Sequence, residues 1–157
     1  MLFPLLALAV AACPPERAHY TLRDDPRVTA RFLPVAATSD WPSGLALRLH
    51  FAGSGREVDF LPFGGGSAAR QHLASTGPVT STQWQLPSPD GPRPLGDVEY
   101  IGADASYRLL DEIPRRGGDA PVHFLLPDLR EALWYREEAG RREAAARQFF
   151  DLTGCGE

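Results

Sequence analysis

From Gly44 to Phe63 apolar and polar residues take turns along the chain. Leu45, Leu47, Leu49 and Phe51 fall on every second position, with Ala46, Arg48 and His50 between them. After Ala52-Gly53-Ser54-Gly55, Val58 and Phe60 resume the apolar series and Glu57 and Asp59 the polar one. Alternation of this kind predicts two antiparallel strands with one face on a core and the other in water. A four-residue loop pairing Phe51 with Arg56 sets Leu49 against Val58, Leu47 against Phe60, His50 against Glu57 and Arg48 against Asp59. Apolar meets apolar and base meets acid in that one register.

The rest of the chain reads mostly as further strands. Tyr20 to Arg23 and Arg27 to Ala36 are two, joined by the turn residues Asp24-Asp25-Pro26. Gly64-Gly65-Gly66-Ser67 is read as a flexible loop before a short helix, Ala68 to Ala74, with Ser67 as its cap. Its spacing matches no phosphate-binding fingerprint. Ser75 to Leu95 is turn-rich, with one strand over Val79 to Leu86 that carries Trp84. Asp97 to Ile101 and Pro121 to Leu126 are strands, and Ser106 to Ile113 fits a strand or a helical turn equally. Asp128 followed by Glu131 forms a capping-box signal for a helix over Leu129 to Glu138, with Leu129, Ala132 and Leu133 as its apolar stripe and Trp134 assigned to the core. Gly140 breaks that helix, and Arg141 to Gln148 resumes it with Glu143 and Arg147 paired. Phe149, Phe150 and Leu152 dock the tail. The fold class expected is mainly β, a β-rich α+β chain: an antiparallel β-sandwich or partly closed barrel with one or two short C-terminal helices.

Composition sharpens this without changing it. At 157 residues the chain suits one domain,. Its 15 glycines and 15 prolines favour short elements and many turns,. The 16 basic and 20 acidic residues give a net charge of −4, which leaves no electrostatic footprint for nucleic acid,. Every basic side chain other than histidine is Arg; there is no Lys and no Asn. A chain without Lys has no phosphate-loop lysine, no Schiff base and no Ser-Lys dyad.

The N-terminus carries the most specific signal. Leu2 to Ala12 is an apolar run too short to span a bilayer as a helix and of the length of an export signal's central region,. It ends in Val10-Ala11-Ala12-Cys13, an aliphatic residue, two small residues and Cys. In these thirteen residues the chain resembles the signal of a bacterial lipoprotein. The resemblance implies cleavage before Cys13, lipidation of the Cys13 thiol and of the new N-terminus, and attachment to a membrane facing the periplasm, with Pro14 favouring the outer membrane. No charged residue precedes Cys13, where that family carries a basic region. The expected organisation is a signal segment at 1–12, a tether at 13–17 and one globular domain at 18–157. Cys155 is the only other cysteine. In an oxidising compartment the two would pair. A lipidated Cys13 cannot, so lipid and disulfide are alternative uses of one sulfur.

Local catalytic and metal motifs are missing. His19, His50, His72 and His123 share no zinc-ligand spacing, and no G-x-S-x-G, H-E-x-x-H or CxxC occurs,. No cofactor is expected. Trp41 and Trp84, in or beside loops, are the candidate ligand contacts, because exposed indoles stack on sugars and dock peptides. The functional expectation is an exported, lipid-anchored envelope lipoprotein that binds or scaffolds an envelope protein, peptide or glycan. The alternative is a small periplasmic hydrolase whose site forms only in the fold. A deep cleft lined by His, Asp and Ser would favour the enzyme, and a flat face carrying an indole would favour binding.

Overall fold

In the computed structural model, which describes residues 12–65 and 70–157, the chain forms nine strands and one short α-helix. The strands are β1 (Ala18–Leu22), β2 (Val28–Pro34), β3 (Leu45–Phe51), β4 (Arg56–Gly64), β5 (Gln71–Thr76), β6 (Asp97–Ala103), β7 (Leu109–Leu110), β8 (His123–Leu125) and β9 (Phe150–Cys155). The helix α1 (Leu129–Tyr135) lies between β8 and β9. All pairings are antiparallel. β1 to β6 follow one another round the wall, β8 and β9 continue it, and β9 pairs with β1. This is a closed eight-stranded barrel, with β7 an extra strand on β6. Of the two architectures expected, the barrel is the one formed.

The β3–β4 hairpin has the predicted register, with Leu47 on Phe60, Arg48 on Asp59, Leu49 on Val58, His50 on Glu57 and Phe51 on Arg56. Its apolar face points inward. Eight strands enclose a space that side chains alone can fill. Here they fill it with Tyr20, Phe32, Leu47, Leu49, Phe60, Phe124 and Phe150, all 1% exposed or less. Tyr20 packs edge-on against Phe124 at 4.9 Å, and Phe124 stacks on Phe150 at 4.8 Å. The interior is thus a packed core.

The outer face departs from simple alternation. Arg48 and Asp59, expected in water, are 4% and 3% exposed. The cause is the long β5–β6 connection, which lies across β3 to β5 instead of forming the strand expected at Val79 to Leu86. Val79 and Leu86 pack with Trp41, Ala46, Leu61 and Ala74 in a second apolar cluster outside the barrel. Val79 N–H donates to Asp59 Oδ2 at 2.8 Å, so the connection seals the ion pair beneath it.

Several other expectations fail for local reasons. Residues 71–74, assigned to a helix, begin β5, because β4 and β6 both offer that segment a ladder. Ser67, assigned as its cap, lies outside the described residues. The helix expected over Arg141 to Gln148 does not form: Ala139–Arg141 makes one 3₁₀ turn and the chain then runs without regular structure to β9. Glu143, expected to pair with Arg147, instead accepts from Ser54 Oγ in the β3–β4 turn. The Asp128–Glu131 capping box is not made either; Asp128 Oδ2 accepts from Glu99 N–H on β6 at 3.3 Å. Pro15–Arg17, part of the expected tether, is a 3₁₀ turn with Pro15 buried. The tail does more than dock. β9 is a full wall strand between β1 and β8.

Candidate functional site

The barrel has two ends. The β3–β4 turn, the start of β6 and α1 lie at one. The start of β3 and the ends of β6 and β9 lie at the other. At the first end Leu129, Ala132 and Leu133 of α1 enter the core. One α-helical residue turns the chain by about 100°, which places Trp134 roughly 140° and Tyr135 roughly 240° from Leu129. Both aromatics therefore face away from the barrel: Trp134 is 43% exposed and Tyr135 76%. The assignment of Trp134 to the core is corrected by this geometry, and the angle alone would have given the right answer.

Around these two side chains lies an open groove of about 700 Å³ between α1 and the 144–147 segment, with Asp128, Glu131, Arg130 and Arg147 on its walls. The Arg142 guanidinium sits over the Trp134 ring, 5.6 Å from its centre. Arg130, Arg142 and Arg147 make no ion pair or side-chain hydrogen bond among the described residues. Glu131 is 4.0 Å from Arg136. The groove thus combines two exposed aromatics with guanidinium groups that have spare donors, a combination suited to carboxylates.

The indoles nominated from the sequence are elsewhere. Trp41 is 4% exposed, and its Nε1–H donates to Pro87 O at 2.8 Å. Trp84 is half-buried and donates to Thr76 Oγ1 at 3.0 Å. Both clamp the β5–β6 connection onto the wall, which takes Trp41 out of reach of a ligand. His50 and Glu57 stand where expected, exposed and 3.9 Å apart, but Glu57 makes its closer contact with Arg48 Nη1 at 2.8 Å.

A second polar cluster had no signal in the sequence, since its members are scattered along it. Arg23 Nε and Nη2 donate to the two oxygens of Asp151 at 2.9 and 2.7 Å. His123 Nδ1 bonds Asp151 Oδ1 at 2.7 Å. Tyr107 stacks on the His123 ring at 4.2 Å, and its hydroxyl accepts from Arg23 at 2.6 Å. Tyr107 has φ +60°, an uncommon conformation for a residue with a side chain,. It is held there by Asp104, whose Oδ1 accepts from Ser106 and Arg108 N–H. Hydrogen bonding from Arg23 is the main cause that holds the Asp151 carboxyl below the usual carboxylate range, with His123 adding to it,. The pair resembles the acid–imidazole half of a hydrolytic triad, but no Ser, Thr or Cys hydroxyl or thiol bonds His123 among the described residues. The cluster also ties β1, β8, β9 and the β6–β7 turn together. No group of three or more His, Cys, Asp and Glu side chains is placed to hold a metal ion among the described residues.

At the far end of the barrel Cys13 and Cys155 form a disulfide, with their Cα atoms 5.9 Å apart. β9 carries Cys155 to a position opposite Ala18 on β1, and Ala120 N–H donates to Cys13 O at 2.8 Å. Cys155 is therefore the end of a wall strand and not part of a loose tail. No protein-family model, curated protein sequence or solved structure matches the chain.

Proposed function

We propose that this is an exported cell-envelope protein that binds an acidic peptide segment of another envelope component through the α1 groove. The observation that carries the reading is the exposure of Trp134 and Tyr135 beside unpaired Arg130, Arg142 and Arg147. A peptide is favoured because it can bring carboxylates to the guanidinium groups beside the two aromatics,. The aromatics supply anchors, and planar guanidinium groups take carboxylates in pairs. Among the described residues no nucleophile bonds the His123–Asp151 pair, which sits on the outer wall under Tyr107, and this gives the hydrolase alternative less support.

Export is supported by Leu2 to Ala12 and by the Cys13–Cys155 disulfide, since such bonds persist in oxidising compartments,. The sulfur of Cys13 has only one use. In the disulfide form, Ala9-Val10-Ala11 fits a small-x-small cleavage site, and the mature chain begins at Ala12 and carries no lipid,. The second reading, a lipid anchor at Cys13 with Cys155 left as a thiol, rests on Val10-Ala11-Ala12-Cys13. Intact mass of the protein purified from the envelope separates the two.

The binding test uses fluorescent peptide libraries of matched length, rich in Asp and Glu or in Ser and Gln, read by anisotropy. Acidic peptides bind wild-type protein, and Trp134→Ala, Arg130→Ala and Arg147→Ala each weaken them by about tenfold without altering the melting temperature. Equal binding of both libraries, or unaltered binding by Trp134→Ala, refutes the reading. Binding of acidic oligosaccharides in place of the peptides moves the assignment to a glycan.

A further inference from the structure

The second site is at the other end of the barrel, and it begins from two buried oxygens with nothing to bond. Gln71 on β5 and Tyr100 on β6 are direct cross-strand partners. Both point inward, as do Leu73 and Val98 on the next inward rung. Gln71 is 7% exposed and Tyr100 3%. Gln71 Nε2 donates to Leu110 O at 3.1 Å, but Gln71 Oε1 and Tyr100 Oη have no hydrogen-bond partner among the described residues. Buried polar atoms are seldom left so, and two on neighbouring inward positions call for a shared explanation. The neighbouring phenol has no such problem: Tyr20 Oη donates to Pro121 O at 2.8 Å.

Above these oxygens the chain from Leu110 to Pro121 crosses the barrel mouth. Between it and the wall lies a depression of about 370 Å³, lined by Tyr100, Asp111, Glu112, Ile113, Asp119 and Pro121, and Gln71 lines an adjoining one that shares Asp111, Glu112 and Ile113 with it. Asp111, Glu112 and Asp119 make no ion pair among the described residues. The one cation on the lining, Arg115, is turned to Pro42 O at 3.3 Å. The mouth of a barrel is a common place for a small-molecule site. Its chemistry here is an amide oxygen and a phenol hydroxyl within and carboxylates at the rim.

We propose that this mouth binds a small molecule carrying a primary amine, whose ammonium group donates to Gln71 Oε1 and Tyr100 Oη and is balanced by the rim carboxylates. An ammonium has three N–H donors and no acceptor. Two satisfy the inner oxygens and the third reaches Asp111 or Glu112. Burial raises the Tyr100 hydroxyl well above its usual range, so the phenol stays neutral and its oxygen can accept. A neutral alcohol of the same shape can bond the same two inner groups but gains nothing from the rim carboxylates, so charge is what favours the amine. The apolar part of the ligand lies along Ile113 and Pro121. Asp111, Glu112 and residues 115–119 are exposed, while Ile113 is buried and Ser43 Oγ holds Pro114 O at 2.6 Å, so the ligand enters beside a strap that stays in place.

The probes are n-butylamine and n-butanol, titrated into full-length protein labelled for NMR of side-chain amides. The amine shifts the Gln71 amide resonances and binds in the millimolar range expected of a fragment of this size; the alcohol binds at least about tenfold more weakly. Tyr100→Phe, which removes one unpartnered oxygen, keeps the fold and weakens the amine by about tenfold. Asp111→Asn with Glu112→Gln does the same and removes the salt dependence of binding. Gln71→Leu is a second variant for the inner pair. Equal affinity for amine and alcohol, an unmoved Gln71 amide, or wild-type binding by Tyr100→Phe overturns the proposal. A result of that kind would leave the two oxygens to an ordered water only.

Discussion

The Arg48–Asp59 pair offers the sharpest test of how this barrel is held together. Arg48 Nε and Nη2 each donate to Asp59 at 2.8 Å, and the side chains are 5% and 2% exposed. Asp59 also accepts from Val79 N–H, and Thr80 Oγ1 takes a further bond from Arg48 at 3.1 Å. Asp59→Ala removes the main counter-charge of a buried guanidinium and leaves Val79 N–H unbonded. Breaking a buried pair from one side costs about 3–5 kcal/mol. Glu57, 2.8 Å from Arg48 Nη1 and half in solvent, keeps part of the neutralisation and places the value at the low end, about 3 kcal/mol,. For a chain of this length that lowers the melting temperature by about 6–12 °C. Arg48→Met with Asp59→Leu removes both charges and fills similar volume, and recovers at least half of the loss, since well-packed apolar replacements of buried pairs are often close to neutral. Urea denaturation of wild type, single and double variants measures all three. A loss below about 1 kcal/mol in Asp59→Ala, as for an exposed pair, would refute the reasoning. So would a double variant no better than the single one.

Three further outcomes follow from the same geometry. Cys13→Ser with Cys155→Ser lowers stability by about 2–5 kcal/mol, because the bridge closes nearly the whole chain,; a Cys13→Ser single variant as stable as wild type would instead favour the lipidated form. Asp151 has a folded-state pKa below its unfolded one, so its stabilisation is present above about pH 4 and is lost as pH falls through the folded value,. Asp151→Asn should flatten that acid limb in urea midpoints measured from about pH 6 to pH 2, and an unchanged limb would show that Arg23 and His123 do not hold the carboxylate. His50→Ala should change stability by less than about 1 kcal/mol and leave peptide binding intact, since His50 and Glu57 are both exposed and 3.9 Å apart,.

Strand identity and register were legible in the chain because they are local. The spacing of Leu45, Leu47, Leu49 and Phe51 against Val58 and Phe60 admits one pairing in which both faces agree, and that is the pairing formed,. The α1 stripe of Leu129, Ala132 and Leu133 was legible for the same reason, and the outward angle of Trp134 could have been read with it,. What the chain could not disclose depends on what lies over a strand rather than within it. Arg48 and Asp59 look like surface residues until the β5–β6 connection covers them, and Trp41 and Trp84 look presented until that same connection uses them as clamps. Residues 71–74 carry no pattern that separates helix from strand, and it is the edges of β4 and β6 on either side that decide. The sites are furthest from the sequence. Arg23, Tyr107, His123 and Asp151 meet only because β9 lies between β1 and β8, and Gln71 meets Tyr100 only because β5 and β6 close the ring. Local alternation specifies strands; closure of the barrel, a long-range event, specifies which side chains share a space.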